Sequence, residues 1–454
     1  MTPRMTSLWR RAVFVTVMAA SKAAWADSSL VASASAIAHQ LGAPAKSVLV
    51  VASRLTTDVT APRGDDLAVR IGSLVAAALG NDAIAETHAM PLADARRRLR
   101  SAAVSGGRLV YVDVRIGNGE LRVTADAYPA SDNAWDRARG VVAPPLGHAY
   151  VHVPVSAEVR AYLEPLHLER AEAHKFTHGM GPLLALACGD FDGVGGNDLV
   201  LVSEKEVAWG YLQAGRFVAV KRVAASAVGK RAPVSFREPI AAAELVPTDT
   251  AGALYVAWGD RVGAKLGPDL VATARLVGLP VSAGADLACL VPNAAHGGFD
   301  DARVSCDDGK VLAGVAPPSL GQLVTDEWRA LDLVDADGHE SHVTASRDVA
   351  ATLHLTRAPL RTSAPEVLTV ADVGAGIALS DLDQDGVPDI VTTLPSGEDA
   401  LVISSWRGGS AGKLEPRLRI GAPAGVDAVA VCPAEANAAP SVVAAVGGEI
   451  WLVR

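Results

Sequence analysis

One stretch late in the chain carries the clearest chemistry. Asp381-Leu-Asp383-Gln-Asp385-Gly-Val387-Pro-Asp389 reads D-x-D-x-D-G-x-x-D and runs into Ile390-Val-Thr-Thr393. Carboxylates at positions 1, 3, 5 and 9, with a glycine at 6 that permits a sharp turn, can wrap a hard cation in oxygen ligands. The expected ligands are the side chains of Asp381, Asp383, Asp385 and Asp389 and the backbone carbonyl of Val387, with calcium as the cation. Four carboxylates held this close repel one another unless a cation neutralises them. An EF-hand starts the same way but needs an acid at position 12 and a following helix. Position 12 here is Thr392, and Pro388 with the run after it favours a strand.

A second segment aligns with the first without gaps: Gly189-Asp190-Phe-Asp192-Gly-Val194-Gly-Gly-Asn-Asp198, followed by Leu-Val-Leu-Val202. Asp190, Asp192 and Asp198 keep positions 1, 3 and 9, whereas Val194 replaces the acid at position 5. This loop is expected to be the weaker metal binder.

No catalytic or cofactor-binding set is assigned. HExxH, GxGxxG and GxxxxGK[ST] patterns do not occur, and the acid pairs that could serve a glycosidase are taken up by the two Asp-rich loops. His174 and His178 stand four apart, the spacing of two ligands on one helical face, but no third ligand has a fixed spacing to them. They read as polar surface. The run Arg96-Arg97-Arg98 reads as the solvated face of a helix.

The elements that must hold the Asp-rich loops are short strands. From about residue 180, apolar segments alternate with Gly, Asp and Pro clusters. Leu183 to Cys188, Ile240 to Leu245, Ala285 to Leu290, a segment near Leu331 to Val334, Ile377 to Ser380 and Val426 to Cys432 recur at roughly 45 to 55 residues, the spacing of four-stranded blades. The fold expected is mainly β: a C-terminal β-propeller of about six or seven blades over 181–454. Its last unit, Val426 to Arg454, has room for only about three strands. The fourth is expected from the segment before Leu183, within Tyr150 to Thr177, so that the ring closes by strand exchange.

The Asp381–Asp389 loop resembles the calcium loop of FG-GAP (VCBS) repeats, the blade motif of integrin α-subunit propellers and of many bacterial exported proteins. The resemblance is specific at 381–389, degraded at 190–198 and absent from the other proposed blades. The whole sequence is also similar to exported FG-GAP/VCBS proteins of myxobacterial type, a likeness that implies no activity. The layout, an α/β domain followed by a propeller, resembles the TolB family without sharing a motif with it.

The preceding part, 27–145, reads as a small α/β domain. Ser28 and Ser29 can cap a helix ending at Gly42, Ser47 to Ala52 is an apolar strand of the buried parallel kind, and helices are expected near 65–79 and 91–104. Leu109 to Val114 and Leu121 to Ala125 are joined by Gly117-Asn118-Gly119, a hairpin signal. Residues 146–180 read as a linker with room for the ring-closing strand.

Residues 1–26 read as a signal peptide: Arg4, Arg10 and Arg11, an apolar run Ala12 to Ala20, and Ala24-Trp25-Ala26 before Asp27. Ser21 and Lys22 interrupt that run short of a membrane span, and no transmembrane segment is expected in the mature chain. Cleavage removes four positive charges and no acids, moving the formal net charge from −9 to −13, which argues against nucleic acid as a partner. Half the residues are hydrophobic and 4% aromatic, so the core must be built from Ala, Val and Leu. Cys188, Cys289, Cys306 and Cys432 allow three pairings, or none; Cys289 and Cys306 flank a turn-rich stretch and could face each other across a hairpin.

The function expected from these features is that of an exported, non-catalytic binding or scaffolding protein of the periplasm or cell exterior, with a protein or glycan partner. The alternatives are a periplasmic accessory of a cell-envelope complex and, less favoured, a hydrolase or lyase acting in the propeller channel.

Overall fold

The computed structural model describes residues 29–42, 47–80, 82–101, 107–130, 144–228, 241–248, 251–258, 262–277, 279–283, 286–292, 302–304, 325–335, 339–348, 350–359, 365–395, 398–408, 412–435 and 438–454. The proposed signal peptide and Cys306 lie outside them.

The N-terminal part is one sheet with helices on both faces. Its strand order is Ala83–Ala85, Val48–Ala52, Arg108–Gly117, Glu120–Pro129, Gly147–Pro154, with Thr56–Thr57 alongside the end of Arg108–Gly117. The first three strands are parallel and the last three antiparallel. Every residue of Val48–Ala52 is buried, the burial expected of a parallel strand covered on both faces. Helices Ser29–Leu41 and Gly64–Leu79 bury Leu30, Ile37, Leu67, Ile71 and Val75 against one face, and helix Leu92–Ser101 buries Ala95 and Leu99 against the other. The hairpin turns on Asn118 and Gly119, whose φ values of 56° and 70° suit the tight turn that the Asn-Gly pair favours. In the arginine run, Arg97 pairs with Asp94, Arg98 with Glu86, and Arg96 lies over the Tyr128 ring.

The sheet extends past residue 145. Gly147–Pro154, which the sequence reading places in a linker, pairs along its whole length with Glu120–Pro129. Its alternation of His148, Tyr150 and His152 with smaller residues exposes one face, and so lacked the apolar run that would mark a strand by sequence. The short helix Ala157–Arg160 follows, and Val155, Val159 and Leu163 join the same core.

The remainder is a β-propeller, six blades among the described residues. Four strands make the first blade, Leu183–Gly189, Asp198–Ser203, Glu206–Gln213 and Arg216–Ala224. Ala241–Pro247 to Ala272–Val277 form the second, and Leu279–Ala283, Asp286–Pro292 and Ala302–Val304 are the described strands of the third. Thr325–Val334 to Glu366–Val370 form the fourth, and Ile377–Ser380, Asp389–Thr392, Ala400–Trp406 and Leu414–Gly421 the fifth. The sixth has Val426–Cys432, Ser441–Val446 and Glu449–Val453, completed by Ala173–Thr177, which pairs antiparallel with Glu449–Val453. Innermost strands of successive blades lie side by side, and Val426–Cys432 returns to Leu183–Gly189. The third innermost strand is thus Leu279–Ala283, not the expected Ala285 to Leu290 segment, whose described residues from Asp286 on lie in the second strand of the blade, Asp286–Pro292. Pro280 lies inside Leu279–Ala283 and disguised it, because proline cannot donate to a ladder.

A disulfide joins Cys188 to Cys432 with their Cα atoms 4.8 Å apart. It ties the innermost strand of the first blade to that of the last across 244 residues of sequence, so the ring is closed covalently as well as by strand exchange.

His174 lies in the strand Ala173–Thr177 rather than on a helix. His178 is buried, its Nδ1 accepting from the Met180 amide, so the pair is neither a ligand face nor, at His178, polar surface.

Candidate metal centre

Both Asp-rich loops occupy the same place in their blades, the connection from the innermost strand to the second. Gly189 pairs with Asp198 where one loop closes, and Ser380 with Asp389 where the other does. The carboxylate at position 9 opens the second strand and accepts from the amide at position 2: Phe191 N to Asp198 Oδ2 at 3.0 Å, Leu382 N to Asp389 Oδ2 at 2.8 Å. The position-2 side chains, Phe191 and Leu382, are buried and pin the loop from beneath.

Position 1 gathers amides from the far side of each loop. Asp190 accepts from Gly193 and Gly195 at 2.8 and 3.1 Å, and Asp381 from Asp385 and Gly386 at 2.9 and 3.0 Å. Such a wrap turns twice through the left-handed region, at positions 4 and 6. Glycine takes both places in the first loop, Gly193 and Gly195, and Gln384 (φ 56°) with Gly386 (φ 81°) does so in the second.

In the fifth-blade loop, carboxylate oxygens of Asp381, Asp383 and Asp385 lie within 4.8 Å of one another. Asp383 is buried and its Oδ1 has no hydrogen-bond partner. Asp389 is fully buried, and its Oδ1 accepts from Ser405 Oγ at 2.6 Å. Asp385 Oδ1 accepts from the Val387 amide at 2.8 Å. Burial first, then repulsion from the neighbouring acids, pushes Asp381 up to about 8 and Asp389 up to about 6; Asp383 is driven upward for the same reasons. An orphaned buried oxygen amid crowded carboxylates fits an oxygen-coordinated cation, because a buried charge needs a compensating one.

Cationic side chains ring this loop without entering it. Arg417 Nη2 stands 3.6 Å from Asp383, while the same guanidinium bonds Ser405 and Glu169. Arg407 stands 3.7 Å from Asp385, and Arg160 donates to the Gln384 side chain at 2.8 Å. None of these partners was visible by spacing, since Ser405 and Arg417 come from later strands, Arg407 from just past the end of Ala400–Trp406, and Arg160 from the other domain.

In the first-blade loop, Asp190, Asp192 and Asp198 also bring three carboxylates within 4.8 Å. Asp190 and Asp192 are exposed, however, and Asp192 is satisfied by the Val194 amide at 3.0 Å. Asp198 is buried and shifted upward by that burial. The loop is tied sideways to the sixth blade through Asn197, which bonds Pro433 and Glu435.

Between the blades, residues of the innermost strands line a cavity of about 450 Å³. Its wall is mostly aliphatic, with Asp190 at one edge and the ion pair of Arg329 and Glu244, 3.6 Å apart, inside. Gly408-Gly-Ser410-Ala-Gly412 fits the G-x-S-x-G spacing of a nucleophile elbow, a pattern that needs a strand-to-helix turn. Here it joins two antiparallel strands, and residues 409–411 lie outside the described ones.

No family model matches the chain, and no curated protein matches it. Solved structures with a similar arrangement include AofleA from Arthrobotrys oligospora, at 11% identity over 63% of this chain and 86% of that one, TM-score 0.35. The SapL1 lectin, solved with alpha methyl fucoside, is 10% identical over 76% of this chain and 94% of its own, TM-score 0.27. The Dos1 propeller is 9% identical over 76% and 78%, TM-score 0.31. The six-bladed ring rests on its own strand pairing. Among the described residues no helix is long and apolar enough to cross a membrane.

Proposed function

We propose that this protein is an exported, non-catalytic binding or scaffolding propeller of FG-GAP/VCBS type, in which the Asp381–Asp389 loop holds calcium and fixes the fifth blade. The observation that carries the reading is Asp383 Oδ1, buried without a partner between Asp381 and Asp385. A calcium ion in that loop would take oxygens from Asp381, Asp383, Asp385 and Asp389, with Val387 offering its carbonyl. It would supply charge neutralisation rather than reactivity. The signal-like residues 1–26 support a reading in the periplasm or outside the cell, and the acidic charge expected of the mature chain favours proteins and neutral glycans as partners. Titration calorimetry with calcium chloride on the mature protein tests the reading. One tight site and a raised thermal midpoint are expected, since a ligand that binds only the folded state stabilises it by about 2.7 kcal/mol at a hundredfold excess over Kd. Absence of binding heat, together with an unmoved midpoint, would reduce the loop to a turn.

A further inference from the structure

Arg417 faces the orphaned acid of the fifth-blade loop and is held from behind. It projects from Leu414–Gly421, the outermost strand of the blade, and its side chain is only 12% exposed. Nη2 stands 3.6 Å from Asp383 Oδ2, beyond a good hydrogen bond. The guanidinium directs its donors elsewhere, Nε to Glu169 Oε1 and Nη1 to Ser405 Oγ at 3.1 Å. Ser405 in turn donates its own proton to Asp389 Oδ1 at 2.6 Å. Glu169 comes from the turn Leu168–Arg170, in the segment that joins the two domains. Leu168 packs in one cluster with Leu382 of the loop, which fixes where its neighbour Glu169 can reach.

A guanidinium this close to a buried carboxylate ordinarily closes on it as a fork, because its paired donors match both oxygens. Here it stops short, and Asp383 Oδ1 keeps no hydrogen-bond partner. We propose that Glu169 is a positioning residue for the calcium loop: by holding Arg417 back, it keeps Asp383 available to a cation whose place Arg417 would otherwise take. The inference rests on the calcium reading above and adds to it a residue from the interdomain segment. Glu169 acts through Arg417 alone, which separates it from a negative charge that merely lies nearby. Arg407 also approaches the loop, 3.7 Å from Asp385, but it is 59% exposed and water screens it.

The test is calorimetric titration of the full mature chain and its variants with calcium chloride, with thermal midpoints in chelator to confirm folding. Glu169→Ala should weaken calcium binding by about tenfold, a coupling of the size found within one ion-pair network. Glu169→Gln keeps an acceptor for Arg417 Nε and should recover most of that loss. Arg417→Gln removes the competing cation and should bind calcium about fivefold tighter than the wild type. Adding Glu169→Ala to Arg417→Gln should then change affinity by less than about twofold, since Glu169 has nothing left to hold. Additive effects, with the double variant returning to wild-type affinity, would make Glu169 a nearby charge and overturn the proposal while the calcium reading stands. Unchanged affinity in Arg417→Gln, or in a folded Glu169→Ala, overturns it as well. No binding by the wild type removes the calcium reading and this proposal together.

Discussion

The two Asp-rich loops share a sequence frame, a place in the blade and a backbone path, yet differ in electrical environment. Position 1 gathers amides, position 9 accepts from position 2, and the chain turns left-handed at positions 4 and 6 in both. In the first blade water reaches Asp190 and Asp192, and Gly193 to Gly196 leave the outer rim bare. In the fifth blade Ser405, Arg417 and the helix ending at Arg160 crowd around the loop, and its acids are held partly or fully out of water. The backbone frame therefore makes a turn, and what surrounds it makes a charge trap.

The sharpest way to break this comparison is to remove the trap. Asp383→Ala combined with Asp385→Ala should abolish calcium binding and all calcium-dependent thermal stabilisation, whereas Asp190→Ala combined with Asp192→Ala should leave both nearly intact. Calorimetry on the two double variants decides. Equal losses would show that the loops contribute alike and that burial does not set affinity.

A smaller effect follows from protonation. Burial raises Asp381 from 3.8 to about 8 and Asp389 to about 6. Between the ordinary carboxylate value and these raised ones, the folded calcium-free protein holds protons that the unfolded chain has released. Its stability should therefore fall as pH rises through about 4 to 8. Below that window both states are protonated and the contribution is fully present. Calcium needs the ionised carboxylates, so its stabilisation should grow over the same range and cancel the fall. Thermal midpoints from pH 4.5 to 8, with calcium and with chelator, should diverge as pH rises. Parallel curves would mean that the acids titrate near their ordinary values.

The metal loop was legible in sequence because all its acids lie within nine residues and a local turn brings them together. Alignment with 190–198 was enough to locate both loops at equivalent blade positions. Ser405, Arg417, Arg160 and Glu169 were not legible, because strand pairing and domain docking bring them in from as far as 224 residues away in the chain. The Cys188–Cys432 bond belongs to one of the three pairings open to four cysteines, and only ring closure selects it. Leu279–Ala283 and Gly147–Pro154 were missed for local reasons, a proline in one and polar alternation in the other. Helices Ser29–Leu41 and Gly64–Leu79 were readable because their apolar spacing and the glycines after them are local signals.

The smallest effect sharpens the comparison from the other side. Val194 occupies the position-5 place held by Asp385, and it is 82% exposed. Val194→Asp therefore supplies the missing carboxylate at no cost in core packing, and surface substitutions of this kind usually shift stability by less than about 0.5 kcal/mol. If the backbone frame is already competent, the added acid should create a second calcium site, seen in calorimetry as a change from one ion to two. That site should be weaker than the fifth-blade site by about tenfold or more, because exposed carboxylates keep their hydration and interact through a high dielectric. It should also weaken steeply with salt, since exposed charges are screened over a Debye length of about 8 Å at physiological ionic strength. A second site as tight as the first would show that ligand count, rather than burial, sets affinity. No second site at millimolar calcium would show that the frame alone is insufficient even with all four acids in place.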